Sequence, residues 1–280
     1  MNLSSPILVT GGTGTLGRHV VAKLEERGRA VRVLSRNLPE ANAMAAGSSI
    51  QYVAADLATG EGLQGAFRGV DTVIHLAGSA KGDDQKARHL VNAAAEAHVT
   101  HIVYISVVGA NDIPIESAID RGMLGYFGGK RAAEQIIAES GIPWTTLRAT
   151  QFHDLTLKTV EAMAKLPIVP VPAGWRVQPI DASEVADRLV QVALAPPAGL
   201  VPEIGGPRVY EIDELVRSYL EAVGKRRPII HLPMPGKAAR AYRDGANLAP
   251  DRAVGRRTWE AFLAERVGTA RGAQPSVVTR

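Results

Sequence analysis

The chain of 280 residues contains no cysteine. That excludes a disulfide scaffold, a thiolate metal site and cysteine catalysis. Aromatic residues are scarce, with four Phe, three Trp and six Tyr, so the core must be aliphatic. No run of about 18 apolar residues occurs, which predicts no membrane-spanning helix. The opening MNLSSPILVTGG has no basic n-region and does not read as a signal peptide. The expectation is a cytoplasmic protein with no membrane partner. His19, His89, His98, His101 and His231 show no ligand spacing, so no metal site is expected. A G-x-S-x-G elbow is missing, which excludes that hydrolase class. Gly129-Lys130 is followed by Arg131 and Leu occupies position 124, which excludes a Walker-type phosphate loop.

Charge is also sparse. Lys and Arg number 32 against 28 Asp and Glu, a net of +4. The excess sits in the C-terminal segment from Gly236, which holds nine basic and four acidic residues. The rest of the chain is nearly neutral. No basic stripe interleaved with aromatics runs through it, so no nucleic-acid partner is expected.

What is present is alternation. Pro6–Thr10, Ala30–Ser35, Ile50–Ala54, Asp71–Leu76, His101–Ser106 and Trp144–Arg148 read as short apolar strands. Helical patterns over Leu16–Arg27, Asp84–Ala97 and Lys130–Ser140 separate several of them. Strands spaced by helices predict parallel pairing and a doubly wound α/β sheet covered on both faces. Residues 1–150 form this expected dinucleotide-binding core. Residues 151–267, rich in proline, read as a smaller, less regular substrate lobe, with Asp181–Ala195 returning to the sheet as a helix. Asp213–Val223, Pro228–Leu232 and Thr258–Val267 read as helix, strand and helix. Residues 268–280 are expected to fray.

The first strand runs into Thr10-Gly11-Gly12-Thr13-Gly14-Thr15-Leu16-Gly17. Gly11, Gly14 and Gly17 stand three apart between a strand and a helix. A pyrophosphate needs backbone N–H groups at a helix N-terminus, and glycine lets the chain approach it. Gly11, Thr13, Gly14, Thr15, Leu16 and Gly17 are therefore the candidate cofactor turn. Where NAD-binding folds place an acid for the ribose 2′-hydroxyl, this chain has Ser35-Arg36-Asn37. A guanidinium there pairs with a 2′-phosphate, so NADP(H) is favoured over NAD(H). Asp56 reads either as an acceptor for adenine or as an N-cap before Leu57. Ala77 and Gly78 follow the fourth strand and should pass beside the cofactor, whereas His75 reads as a packing histidine.

Tyr126 and Lys130 stand four apart, one helical turn, so an ammonium can stabilise a phenolate. Lys130 can also hold the nicotinamide ribose. Ser106 ends the fifth strand, where ligands of open α/β sheets bind. Gln151, Phe152 and His153 follow the sixth strand and should face the nicotinamide end. Phe152 and His153 read either as substrate contacts or as the start of a helix in the core. Gly109–Leu124 reads as a long loop that closes over substrate.

The segments TGGTGTLG (10–17), VRVLSR (31–36), HIVYISVVGA (101–110), YFGGKRAAEQIIAESGIPWTTLRATQF (126–152) and QPIDASEVA (178–186) resemble atypical short-chain dehydrogenase/reductases of the NmrA-like type. The resemblance covers about residues 5–265. It implies a Rossmann domain, usually NADP, and a substrate cleft under a small C-terminal lobe. It also implies a Ser, Tyr and Lys set at Ser106, Tyr126 and Lys130. Many members have lost the Tyr and bind dinucleotide without turning it over, whereas this chain keeps Tyr126. The helix Asn of many active relatives has no clear counterpart; Asn92 is the nearest. The expected activity is NADPH-dependent reduction of a small carbonyl, quinone or activated double bond. The alternatives are a non-catalytic NADP sensor and a nucleotide-sugar epimerase. The residues leave the substrate and the oligomeric state open.

Overall fold

Why the strands pair as they do follows from their burial. All four residues of β1 (Ile7–Thr10) and all seven of β5 (His101–Val107) are buried, which only a sheet covered on both faces permits. The computed structural model describes residues 5–38, 50–79 and 82–272. Within them, α1 (Thr15–Glu26), β2 (Val31–Ser35), β3 (Ile50–Ala54), α2 (Leu63–Phe67), β4 (Thr72–His75) and α3 (Asp83–Glu96) lead into β5. The long α4 (Ala118–Ala138), β6 (Trp144–Ala149), α5 (His153–Met163), β7 (Val169–Pro172), β8 (Arg176–Val177) and α6 (Ala182–Ala193) follow. The chain continues through β9 (Gly199–Leu200), β10 (Tyr210–Glu211), α7 (Ile212–Ala222), β11 (Ile229–Leu232), α8 (Lys237–Arg243) and α9 (Trp259–Gly272).

Seven strands form one parallel sheet in the order β3-β2-β1-β4-β5-β6-β9. The order reverses between β1 and β4, which opens a crevice at the carboxyl ends of those strands. This is the Rossmann-type doubly wound sheet expected. Side chains alternate between its faces. Val9, Ile74, Val103 and Ile105 pack under α1 and α6 with Val20, Leu24, Val185 and Leu189. Leu8, Val73, Ile102 and Tyr104 pack on the other face, with Leu90 of α3 and Ala133 and Ile137 of α4. α6 packs beside α1 on the sheet, and β9 extends the sheet's edge.

The lobe has its own core, and against the expectation of a purely aliphatic interior it gathers Trp175, Tyr210, Tyr242, Trp259 and Phe262. Val107, Ile113, Leu124 and Phe127 join that core, so α4 belongs to both bodies and ties them together. Two small sheets, parallel β7–β11 and antiparallel β8–β10, complete the lobe.

One sequence expectation fails here. The long loop read over Gly109–Leu124 is shorter than expected: residues 109–117 are turns and irregular chain, and 118–124 are helix. Ser117 and Asp120 form a reciprocal capping box that starts α4 at Ala118, twelve residues before the predicted start. Leu124 then kinks the helix with φ −129° and ψ 15°. Ile113 is fully buried, and the Arg131 guanidinium donates to the carbonyls of Ala110 at 2.8 Å and Ile113 at 2.6 Å. A segment pinned this way is held to α4. The predicted fray from 268 is also shortened, since α9 runs on to Gly272; 273–280 lie outside the described residues.

Candidate cofactor cleft and active site

The glycine turn is packed so closely that its sequence is dictated. A Cβ on Gly17 would stand 2.1 Å from the Gly11 carbonyl oxygen and 2.6 Å from the Gly12 Cα. Gly11 has φ +70°, and a Cβ there would meet the Ala77 backbone nitrogen at 2.8 Å. Both neighbours are backbone and cannot swing aside. Gly14 is the N-cap of α1 in extended conformation, with no side chain capping the helix and no acid in its first turn. The N–H groups around Thr15, Leu16 and Gly17 are thus left for an outside acceptor, and the helix dipole favours an anion. Thr13 and Gly14 are exposed, whereas Leu16 is buried and anchors the turn. These residues fit the pyrophosphate of a dinucleotide.

The next strands line the expected adenosine side. Arg36 is exposed just past β2, and the Ser35 hydroxyl donates to the Asn37 carbonyl at 2.7 Å. Asp56 follows β3, and its Oδ1 accepts the Ala58 N–H at 2.8 Å, so one carboxylate oxygen closes its own turn. Leu57 is buried, and its carbonyl bonds the His89 Nδ1.

At the other end a row of buried polar side chains crosses the sheet. Register places Thr10, His75 and Tyr104 side by side on β1, β4 and β5. Thr10 Oγ1 lies 2.7 Å from His75 Nδ1, and the His75 ring stacks on Tyr104 at 5.3 Å. Burial, with the Lys130 charge adding to it, holds the His75 imidazole down at about 3. His75 is therefore a neutral packing residue. Burial likewise pushes the Tyr104 phenol up to about 12.

Lys130 sits over this row, its Nζ 5.1 Å from the centre of the Tyr104 ring and 5.6 Å from that of Tyr126. Tyr126 and Lys130 do share a face of α4. Asp83, the first residue of α3, lies 3.3 Å from Lys130 Nζ, with both side chains about 95% or more buried. Burial opposes the Lys130 charge, but Tyr104 and Asp83 outweigh it and hold the ammonium above its ordinary range. Asp83 Oδ1 accepts the Ser79 N–H at 2.8 Å, and Lys86 Nζ lies 3.4 Å away. Gly78 gives this pair its room, since a Cβ there would stand 2.9 Å from Lys130 Nζ. Ala77 reaches the Thr10 hydroxyl through its N–H. Tyr126 keeps 38% of its surface open, and partial burial together with the Asp83 charge holds its phenol above the usual tyrosine range.

Ser106 ends the same face of β5 as Tyr104. It is buried, and its hydroxyl has no hydrogen-bond partner among the described residues. An unpaired buried hydroxyl costs about 1–3 kcal/mol, a debt that a bound ligand would remove.

The three residues after β6 divide. Gln151 ties lobe to sheet, accepting the Gln178 N–H and donating to the Asn247 carbonyl. Phe152 is half-buried at the N-cap of α5, packed on the sheet core. His153 is fully buried between Trp259 and Phe262, with Nε2 3.0 Å from the Arg257 carbonyl. It offers a ligand no surface, so the core alternative describes it. Asn92 is exposed on α3. Asp83 is the residue sequence reasoning missed; the one available signal was its place in the first turn of a helix directly after the Gly78 loop.

The chain belongs to the NAD(P)H-binding family, whose model matches residues 11–196. Ceramide reductase from Caulobacter vibrioides is 30% identical over 244 residues, covering 82% of this chain and 74% of that protein. NAD(P)H azoreductase from Xenophilus azovorans is 29% identical over 246 residues, covering 86% and 82%. A (4-alkanoyl-5-oxo-2,5-dihydrofuran-3-yl)methyl phosphate reductase from Streptomyces griseus is 34% identical over 152 residues, 54% of this chain and only 49% of that protein. Among solved structures, the NADPH complex of an NADPH-dependent quinone oxidoreductase from Escherichia coli superposes with a TM-score of 0.77 at 22% identity, covering 93% and 99% of the chains. These likenesses agree with the motif resemblance to the NmrA-like type.

The Gly17 contact generates a direct test. Gly17→Ala should weaken NADPH binding at least about tenfold by calorimetric titration, because the new methyl must push α1 off the turn. Wild-type affinity in that variant would show that the turn does not grip the dinucleotide.

Proposed function

We infer that this protein is an NAD(P)H-dependent reductase, and propose that it uses NADPH to reduce a small carbonyl or quinone. One observation carries the proposal. An unpartnered Ser106 hydroxyl, a Tyr126 phenol and a buried Lys130 ammonium gather on one side of the sheet, beyond the glycine turn at the strand-order reversal. The relatives named as reductases of azo, ceramide and quinone substrates support the class.

When bound, the reduced nicotinamide supplies the hydride. Ser106 donates its hydrogen bond to the substrate oxygen and so fixes its orientation. Tyr126 hands its phenolic proton to that same oxygen as negative charge develops on it. Lys130 then stabilises the phenolate left behind. Asp83 acts as a positioning residue that holds the ammonium in place and balances its charge. With the Lys130 ammonium balanced by Asp83 in this way, Tyr126 stays protonated at neutral pH, the state a general acid needs.

NADPH is preferred because Arg36 is free of any ion pair among the described residues at the end of β2, where no carboxylate would repel a 2′-phosphate. Arg36→Ala should lose about 1.5–3 kcal/mol of NADPH binding, the worth of a hydrogen bond to a charged group, and leave NADH binding unchanged. Equal losses for both coenzymes would assign Arg36 no part in the choice. Tyr126→Phe should lower kcat by roughly 10²–10⁴ in steady-state assays while NADPH still binds. A variant that turns over normally removes Tyr126 from the proton transfer.

The pH dependence has a definite sign. A phenol held above its ordinary range remains an acid until pH rises through that raised value, so the reduction rate should not fall across the neutral range. Asp83→Asn removes the counter-charge, exposes Tyr126 to the full Lys130 field and lowers its pKa. The alkaline limb of kcat/KM should therefore move to lower pH. A limb that stays put, alongside reduced thermal stability, would make Asp83 a purely structural partner.

A further inference from the structure

β7 and β11 form a two-stranded parallel sheet on the rim of the lobe, and its two faces differ sharply. Val169 and Val171 point into the lobe core and are buried. Pro170 and Pro172 take the opposite face by alternation, and register sets Ile230 against Pro170 and Leu232 against Pro172. Ile168 continues that face. Ile168, Ile230 and Leu232 are 49%, 45% and 42% exposed, a contiguous apolar surface where single exposed residues would need no explanation.

Both strands of a parallel pair begin at the same end. Here the entering segments are Lys165-Leu166-Pro167 and Lys225-Arg226-Arg227-Pro228. All are exposed, including Leu166 at 45%. Lys165, Lys225, Arg226 and Arg227 make no ion pair among the described residues, whereas Arg217 nearby is paired with Asp213. The Lys225–Arg227 loop also borders an open groove of about 680 Å³ lined by Arg217, Leu220, Glu221, Gly224 and Ile229, in which the loop's three cations outnumber the one carboxylate. An apolar face flanked at one end by unpaired cations results.

We propose that the outer face of β7–β11 and its basic entry segments dock this protein onto an anionic lipid bilayer. Apolar side chains enter the interface while the Lys and Arg head groups meet lipid phosphates, the two-signal combination that gives stable yet reversible attachment. No helix among the described residues is long and apolar enough to cross a membrane, and surface docking requires none. Strand addition by a second copy is the less favoured use of this edge. The N–H of Val169 and that of Ala173 turn toward β11, so the free side of β7 falls to Pro170 and Pro172, which have no N–H to offer. On β11, His231 lies 3.4 Å from Asp213, which screens the other edge.

The test is co-sedimentation of the full chain with vesicles of phosphatidylcholine, with and without phosphatidylglycerol. Binding should appear only on the phosphatidylglycerol vesicles and decline with added salt. Arg226→Glu with Arg227→Glu, and separately Ile230→Ser with Leu232→Ser, should each weaken it at least about tenfold, with NADPH affinity unchanged as proof of folding. Absence of sedimentation at low salt would overturn the proposal. So would equal binding to both vesicle types, or a concentration-dependent dimer that the Ile230→Ser with Leu232→Ser variant dissolves while vesicles stay bare.

Discussion

Everything at the cofactor end depends on a backbone-to-backbone contact. Gly17 lies so near the Gly11 carbonyl that even a methyl group cannot enter. That contact brings the first turn of α1 against the end of β1, where no side chain caps the helix. The turn also leans on the β4 loop through Gly11 and Ala77, so the strands on either side of the order reversal are locked together there. A dinucleotide site here needs very little side-chain chemistry, because the polarity comes from the peptide groups themselves.

The other end works by the opposite means, with charges placed where water is scarce. Lys130 and Asp83 are buried as a pair, next to a neutral His75 and a protonated Tyr104. In low dielectric neither charge of the pair would be tolerated alone. The consequence for chemistry is that the ammonium arrives with its counter-ion attached. A phenol held above its ordinary range beside a balanced pair stays protonated, the state the proposed reduction requires of Tyr126. The buried hydroxyl of Ser106 on the same face of β5 has no partner among the described residues, and in the proposed reaction it supplies the remaining polar contact.

The sheet was legible because its strands are short, β-branched and, in several places, separated by glycine-punctuated helices; β1, β2, β3, β4, β5 and β6 all fall within a residue or two of where the pattern puts them. The glycine turn was legible because steric exclusion of Cβ leaves a spacing on the page. Other features leave no such trace. The early start of α4 depends on a Ser117–Asp120 capping box in a stretch whose Gly122, Gly125, Gly128 and Gly129 disguise a helix. His153 follows a strand end, where ligand contacts are common, yet its ring stacks with Trp259 and Phe262, more than a hundred residues away in sequence. Asp83 was hidden for the same reason, since only the packing of α3 on α4 brings it to Lys130. Pattern reports what is local; these contacts are set by tertiary approach.

The proposed function joins two acts in one cleft, grip at the glycine turn and reduction at the Lys130 end. The most direct measurement follows NADPH consumption and quinone reduction together in the same cuvette, after calorimetry has established a single saturable NADPH site. Under the proposed function, one NADPH should be consumed for each quinone reduced. Saturable binding with no consumption across a quinone and carbonyl panel would contradict it and leave a dinucleotide sensor in its place.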